Sequence, residues 1–262
     1  MKWISCVFLA CIAASCTNTS ADSNAVAGIS DSEKNQRQDS SKASKDSIQK
    51  LLKIDSNNRD SFLLVYNLVD IQAVNKAIFV DLKYATADNF MKIVLYEKMD
   101  RAFLQREVAQ RLSNCQDYLT KLNPNLHLLV YDAARPESVQ WKMWNALDSI
   151  PAKERGKFVS NPTHKSVHNF GAAVDLTICD SKGKTLDMGA GFDDIREIAY
   201  PRLEARFLAS GELTKLQVEN RNLLRKVMQY QKFRNLPTEW WHFNACSRAE
   251  ASLNYQSVKE EF

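Results

Sequence analysis

Ser166-Val167-His168-Asn169-Phe170-Gly171-Ala172-Ala173-Val174-Asp175-Leu176-Thr177-Ile178 decides the fold, because in it a loop turns into a strand. From Ala172 onward apolar residues recur every second position. That spacing sends Val174, Leu176 and Ile178 into a core and Ala173, Asp175 and Thr177 to the other face. Asp175 is therefore expected on an open face of the sheet. Gly171 supplies the freedom for a turn that brings His168 back over the strand.

A second segment, Glu239-Trp240-Trp241-His242, follows about seventy residues later. A hydrolytic zinc site takes three protein ligands from nitrogen and oxygen donors and leaves a fourth position open. His168, Asp175 and His242 supply such a set, drawn from a chain with only four histidines, at 127, 164, 168 and 242. The expected cofactor is one Zn2+ per chain. Glu239 is the carboxylate placed to take a proton from water. Glu239 and His242 are three apart, which on a regular strand means opposite faces. The reading therefore requires an irregular strand start at Glu239, with pleating established only from Trp240 or Trp241.

The N-terminus carries other information. Met1-Lys2-Trp3, an apolar run from Ile4 to Ala14 and the small residues Ala13-Ala14-Ser15 before Cys16 read as a secretory signal too short to span a bilayer. A Cys directly after such a run resembles a bacterial lipobox, so Cys16 is the expected lipidation site. Residues 1–15 are read as signal peptide and 16–55 as the lipidated Cys with a disordered tether, rich in Ser, Asp, Asn, Lys and Gln. Residues 48–54 have the composition for one short helix. Residues 56–262 form one catalytic domain, and the expected location is the periplasm or outer membrane, lipid-anchored.

The formal charge of +4 is too small and too scattered for a nucleic-acid surface. Arg202, Arg206, Arg221 and Arg225 read as solvated helix faces. Cys115, Cys179 and Cys246 remain after the signal and Cys16 are set aside, and buried free thiols are favoured over a disulfide. Strands are expected over 62–66, 78–82, 126–132, 172–178 and 240–245. Helices are expected over 101–122, 137–147, 195–208 and 215–233. The elements do not alternate strictly. The fold class is therefore α+β, a compact single domain with a central antiparallel sheet carrying the zinc site, flanked by helices.

Other residues suit chemistry in a cleft. Arg135 ends a buried strand, and a fixed guanidinium there stabilises an oxyanion, although pairing with Asp132 is the plainer role. Tyr84 follows a strand and Asp193 a glycine-bearing loop, where each can meet substrate. Ser166 offers a hydroxyl two residues before His168. His164 is a spare ligand, while His127 and the tryptophans at 141, 144, 240 and 241 read as packing.

Four ordered motifs together resemble the zinc D-alanyl-D-alanine dipeptidases, the VanX family. They are Ser-x-His-x-x-Gly-x-Ala-x-Asp-Leu-Thr at 166–177, Glu-Trp-Trp-His at 239–242, Asp-x-x-Arg-Pro at 132–136 and Asp-x-Lys-Tyr-Ala-Thr-x-Asp-Asn-Phe at 81–90. The resemblance implies that His168, Asp175 and His242 bind zinc, that Glu239 is the catalytic base and that Arg135 stabilises the tetrahedral intermediate. It places Tyr84, Ser166 and Asp193 at the dipeptide, with Asp193 near the free ammonium. It implies cleavage of D-Ala-D-Ala into two D-alanines, here in the cell envelope for peptidoglycan turnover or scavenging. The rivals are a D,D-carboxypeptidase that trims peptidoglycan stem peptides and a noncatalytic zinc-stabilised envelope binding protein. The chain departs from the family at Ala133-Ala134, where Gly-Tyr is usual, and at Thr163-His164-Lys165.

Overall fold

The computed structural model describes residues 59–262. The signal peptide, Cys16, the tether, the 48–54 helix and the domain start at 56 lie outside the described residues. In chain order the elements are α1 (Arg59–Tyr66), β1 (Leu68–Asp70), α2 (Ile71–Val74), β2 (Phe79–Val80), β3 (Phe103–Gln105), α3 (Arg106–Leu122) and β4 (Leu126–Asp132). They continue with α4 (Glu137–Ala146), α5 (Ala152–Arg155), β5 (Ala173–Asp180), α6 (Glu204–Ser210), α7 (Lys215–Gln229), β6 (Arg234–Leu236), β7 (Glu239–Asn244) and α8 (Arg248–Asn254).

The main sheet has five strands in the order β2-β4-β5-β7-β6, and β1 pairs with β3 in a separate ribbon. The α+β expectation holds. Every pairing in the main sheet is antiparallel except the β2 edge, which runs parallel to β4. Val174, Leu176 and Ile178 are fully buried on one face of β5, as their alternation requires. The opposite face is covered too: Asp175 is 3% exposed, so it lies on the floor of a cleft and not on an open surface.

Helix α3 explains how the core closes over the sheet. Val108, Ala109, Leu112, Cys115 and Leu119 form a single buried stripe at helical spacing. The stripe packs against β4 and α7, so a long amphipathic helix backs the strand that carries Asp132.

Three expected elements come out differently. Residues 62–66 belong to helix α1 and not to a strand. Phe62 and Tyr66, one turn apart, pack with tilted rings 4.5 Å apart, and Phe62 also stacks on Phe262. A short apolar run does not itself reveal its period, and here the tertiary contact with the C-terminal ring selects the helix. The expected helix over 101–122 begins only at Arg106, because residues 103–105 pair with β1. Residues 195–208 form two single 3-10 turns before α6 begins at Glu204.

The arginines also divide. Arg202 and Arg206 are exposed, but Arg221 is buried, donating to the Met188 and Ile198 carbonyls and pairing with Glu204 at 3.3 Å. Arg225 joins the same carboxylate at 2.6 Å. These two arginines therefore fasten α7 to α6, with Arg221 buried and Arg225 half-buried, and do not form a solvated helix face. Cys115 and Cys179 are buried free thiols, and Cys246 is half-buried and free.

Gly171 has φ +62°, and a Cβ there would lie 2.7 Å from Leu68 Cδ2. Both the left-handed backbone and the close ribbon contact require glycine. Gly171→Ala is expected to cost about 1–3 kcal/mol and to lower the melting temperature by roughly 3–10 °C in a thermal unfolding scan. An unchanged melting temperature would contradict this reading of the turn.

Candidate active site

The antiparallel register sets Asp175 of β5 directly opposite His242 of β7, so their side chains leave the sheet on one face. His168 arrives from a 3-10 turn, Val167–Phe170, capped by the Ser166 hydroxyl and ended by Gly171. That turn brings the imidazole over the strand, as the glycine placement predicted. Among the described residues, these three side chains offer ligand atoms within 4.8 Å of one another.

Hydrogen bonds settle which ring nitrogens face inward. His168 Nδ1 donates to the Ala133 carbonyl at 2.7 Å, and His242 Nε2 donates to Asn244 Oδ1 at 3.0 Å. Each contact occupies one ring nitrogen and turns the other inward. The inward-facing His168 Nε2 and His242 Nδ1 lie 3.1 Å apart, with Asp175 Oδ1 at 3.3 Å and 2.9 Å from them. Three lone-pair donors facing one another require a positive charge between them.

Separations of this size suit zinc. Donors placed tetrahedrally around an ion at ~2.0–2.1 Å are about 3.3 Å apart. The demand for charge also appears in the protonation of His242. Burial opposes charging, but the hydrogen bond and charge of Asp175 prevail and push its pKa up to about 9. Burial likewise opposes ionisation of Asp175, yet the two imidazoles hold its carboxyl well below the usual range.

Glu239 Oε2 sits 3.8 Å from His242 Nδ1, beside the three donors but not among them. Burial raises its pKa above the ordinary carboxylate value; His242 opposes the shift and Asp175 adds to it. A raised carboxylate is a better proton acceptor near neutral pH. The irregular strand start that this geometry needs is present. The β6–β7 ladder jumps from Asn235↔Phe243 to Leu236↔Glu239, leaving Trp240, Trp241 and His242 without partners on β6.

Arg135 is locked by its neighbours. Its Nε and Nη2 donate to Asp132 Oδ2 at 2.9 Å and 2.6 Å, and its Nη1 donates to Gln140 Oε1 at 3.1 Å. Nη2 also stands 3.5 Å from Asp175 Oδ2. The structural pairing with Asp132 and a position at the cleft are therefore both present, with the first fixing the second. Tyr96 donates its hydroxyl to the other oxygen of Asp132.

Tyr84 donates to both carboxylate oxygens of Asp193, at 3.1 Å and 3.0 Å. Burial, and next the charge of Asp175, raise the Asp193 pKa well above normal. Asp193 has φ +59°, a left-handed backbone that a non-glycine residue adopts at a cost. A strained, half-buried carboxylate facing a cleft is a binding group for a cation.

Tyr84, Arg135, Ser166, His168, Asp175, Asp193, Glu239 and His242 all line one cleft of about 160 Å³. Phe158, Val159 and Trp241 form its apolar wall. His164 is exposed and stands apart from the three donors, while His127 stacks on Phe79 and bonds the Ala77 carbonyl. Sequence reasoning missed Tyr96, Gln140, Asn235 and Asn244. Asn244, two residues beyond His242, is the one with a sequence signal, since a ligand's idle nitrogen needs an acceptor nearby.

A family model described as D-ala-D-ala dipeptidase matches residues 65–260. The D-alanyl-D-alanine dipeptidase of Escherichia coli K12 is 32% identical over 186 residues, covering 71% of this chain and 88% of that one. The enzyme of the same name from Enterococcus faecalis is 30% identical over 177 residues, covering 62% and 83%. That from Synechocystis is 26% identical over 176 residues, covering 57% and 71%.

Proposed function

Because the chain belongs to the D-Ala-D-Ala dipeptidase family of metallopeptidases, we propose that it hydrolyses D-alanyl-D-alanine to two D-alanines with one Zn2+ held by His168, Asp175 and His242. One observation carries the reading: a nitrogen from each of two imidazoles and a carboxylate oxygen converge beside a second carboxylate that is not one of them. Zinc bound there supplies a Lewis acid that polarises the scissile carbonyl and acidifies water.

The remaining work falls to side chains. Glu239 takes a proton from the attacking water as its oxygen bonds to the carbonyl carbon. The carbonyl oxygen gains negative charge, and the Arg135 guanidinium, already fixed by Asp132, meets it without reorganising. Glu239 then returns the proton to the amide nitrogen as the C–N bond breaks, releasing two amino acids. Asp193, held by Tyr84, binds the free ammonium, and Ser166 offers its hydroxyl to the substrate. The small cleft and the Asp193 carboxylate that lines it favour a free dipeptide over a wall peptide, whose amine is acylated.

Purified, zinc-loaded protein is expected to release D-alanine from D-Ala-D-Ala and to lose that activity with a chelator. The N-acetylated dipeptide is expected to react far more slowly. Equal rates on both would support the D,D-carboxypeptidase, and no release from either would support a noncatalytic binding protein.

The same proposal takes residues 1–15 as a signal peptide, Cys16 as the lipid-bearing residue, 16–55 as a tether and 56–262 as the enzyme. It puts the enzyme in the periplasm or at the outer membrane, lipid-anchored, with peptidoglycan turnover or scavenging as its setting. The support is the apolar run ending in Ala13-Ala14-Ser15-Cys16. Labelled fatty acid should enter the wild-type chain and not Cys16→Ala; equal labelling would remove the anchor from the proposal.

A further inference from the structure

We infer that Asn235 is the positioning residue that sets Glu239 over the metal ligands, an inference that rests on the proposed hydrolysis for its kinetic consequence. Glu239 and His242 are three apart on β7, and a regular pleat would point them to opposite faces. They share a face because β7 carries three residues, Trp240 to His242, that have no counterpart on β6. Backbone carbonyls in such a stretch lose their ladder donors and need others.

The Asn235 amide supplies them. Its Nδ2 donates to the carbonyl of Glu239 at 2.9 Å, to that of His242 at 2.9 Å and, more weakly, to that of Trp240 at 3.3 Å. A single NH2 group thus ties together the base, the ligand and the residue after the base. Its backbone meanwhile keeps register with Phe243, so the side chain is anchored at both ends. The Asn235 Oδ1 atom is buried without a partner. Burying an acceptor unpaired costs free energy, so the side chain is retained for its two N–H bonds and not for its oxygen.

The two tied residues differ in what else holds them. The His242 side chain is fixed by Asp175 and Asn244, and its backbone by pairing with β5. Glu239 stands at the strand start and pairs only with Leu236 across the turn. Loss of the amide therefore releases the base more than the ligand.

Asn235→Ala is expected to lower kcat for D-Ala-D-Ala roughly 10–100-fold, the scale of an ångström misplacement of a catalytic group. KM and zinc affinity are expected to stay within about threefold, since neither substrate contacts nor metal ligands change. Hydrogen exchange in the zinc-loaded protein is expected to speed up over residues 237–243 and nowhere else. Asn235→Ser, which keeps one hydroxyl donor in a shorter side chain, should recover part of kcat and serves if the alanine variant folds poorly. A wild-type kcat in a folded variant overturns the inference, as does parallel loss of kcat and zinc affinity, which would make the tie one of metal binding. If wild-type protein does not hydrolyse the dipeptide, the proposed activity fails instead, and the exchange pattern still reports on the tie.

Discussion

Replacing Glu239 by Gln is expected to leave zinc bound and to lower kcat for D-Ala-D-Ala by roughly 10²–10⁴-fold, the range that a positioned general base contributes. The amide has nearly the shape of the carboxylate but cannot take a proton from water or return it to the leaving nitrogen. Glu239 stands 3.8 Å from His242 Nδ1 and outside the set of three donors, so metal content should not change. Zinc by atomic absorption and kcat under saturating substrate separate the two effects. A wild-type rate in the Gln variant would remove Glu239 from the chemistry, and a zinc-free variant would make it a ligand.

Arg135 gives a less direct test, for a physical reason. Its guanidinium neutralises Asp132, which is fully buried. Removing one partner of a buried ion pair costs about 3–5 kcal/mol of stability. Loss of an oxyanion donor costs about 2.7–4 kcal/mol in the transition state. The terms are of similar size, so an alanine variant would mix misfolding with slow chemistry. Glu239 has no buried partner to strand, which makes it the cleaner position.

The legible parts of this chain were those with local periodicity or a donor set. The alternation at Val174, Leu176 and Ile178 announced β5, and the β4 span matched its expected 126–132. His168, Asp175, His242 and Glu239 could be named because a hydrolytic zinc site would draw on those donor types, and the fold brings the four together. Illegible were features decided by distant contacts. Residues 62–66 became helix through Phe262, and 103–105 became strand through β1. Arg221 reads as a surface charge until α6 brings Glu204 against it. Asp193 was nameable from its loop, but its strained backbone and its grip by Tyr84, more than a hundred residues away in sequence, were not. The irregular start of β7 was demanded by the spacing of Glu239 and His242, while the amide that pays for it was invisible.

Removing the metal is expected to change stability as well as activity, because the ligands occupy the middle of the sheet. At a free zinc concentration a thousandfold above Kd, binding contributes about 4 kcal/mol, so stripping it should lower the melting temperature by roughly 8–16 °C. The metal-free protein should then respond to pH through His242. Its folded pKa of about 9 lies above the ordinary histidine value near 6.5. The sign follows: the stabilising proton is fully present below about pH 6.5 and is lost as pH rises through 9, so the stripped protein weakens across that window. Zinc competes with the same proton for His242 Nδ1, so apparent zinc affinity should rise over the same range while the loaded protein shows little of this weakening. Asp175→Asn removes the carboxylate that drives both effects, and melting curves and zinc titrations of that variant from pH 6 to 9 should be nearly flat. Wild-type pH dependence in Asp175→Asn would mean that the proton and the metal reside on different atoms, which the 2.9 Å contact between His242 Nδ1 and Asp175 Oδ1 contradicts.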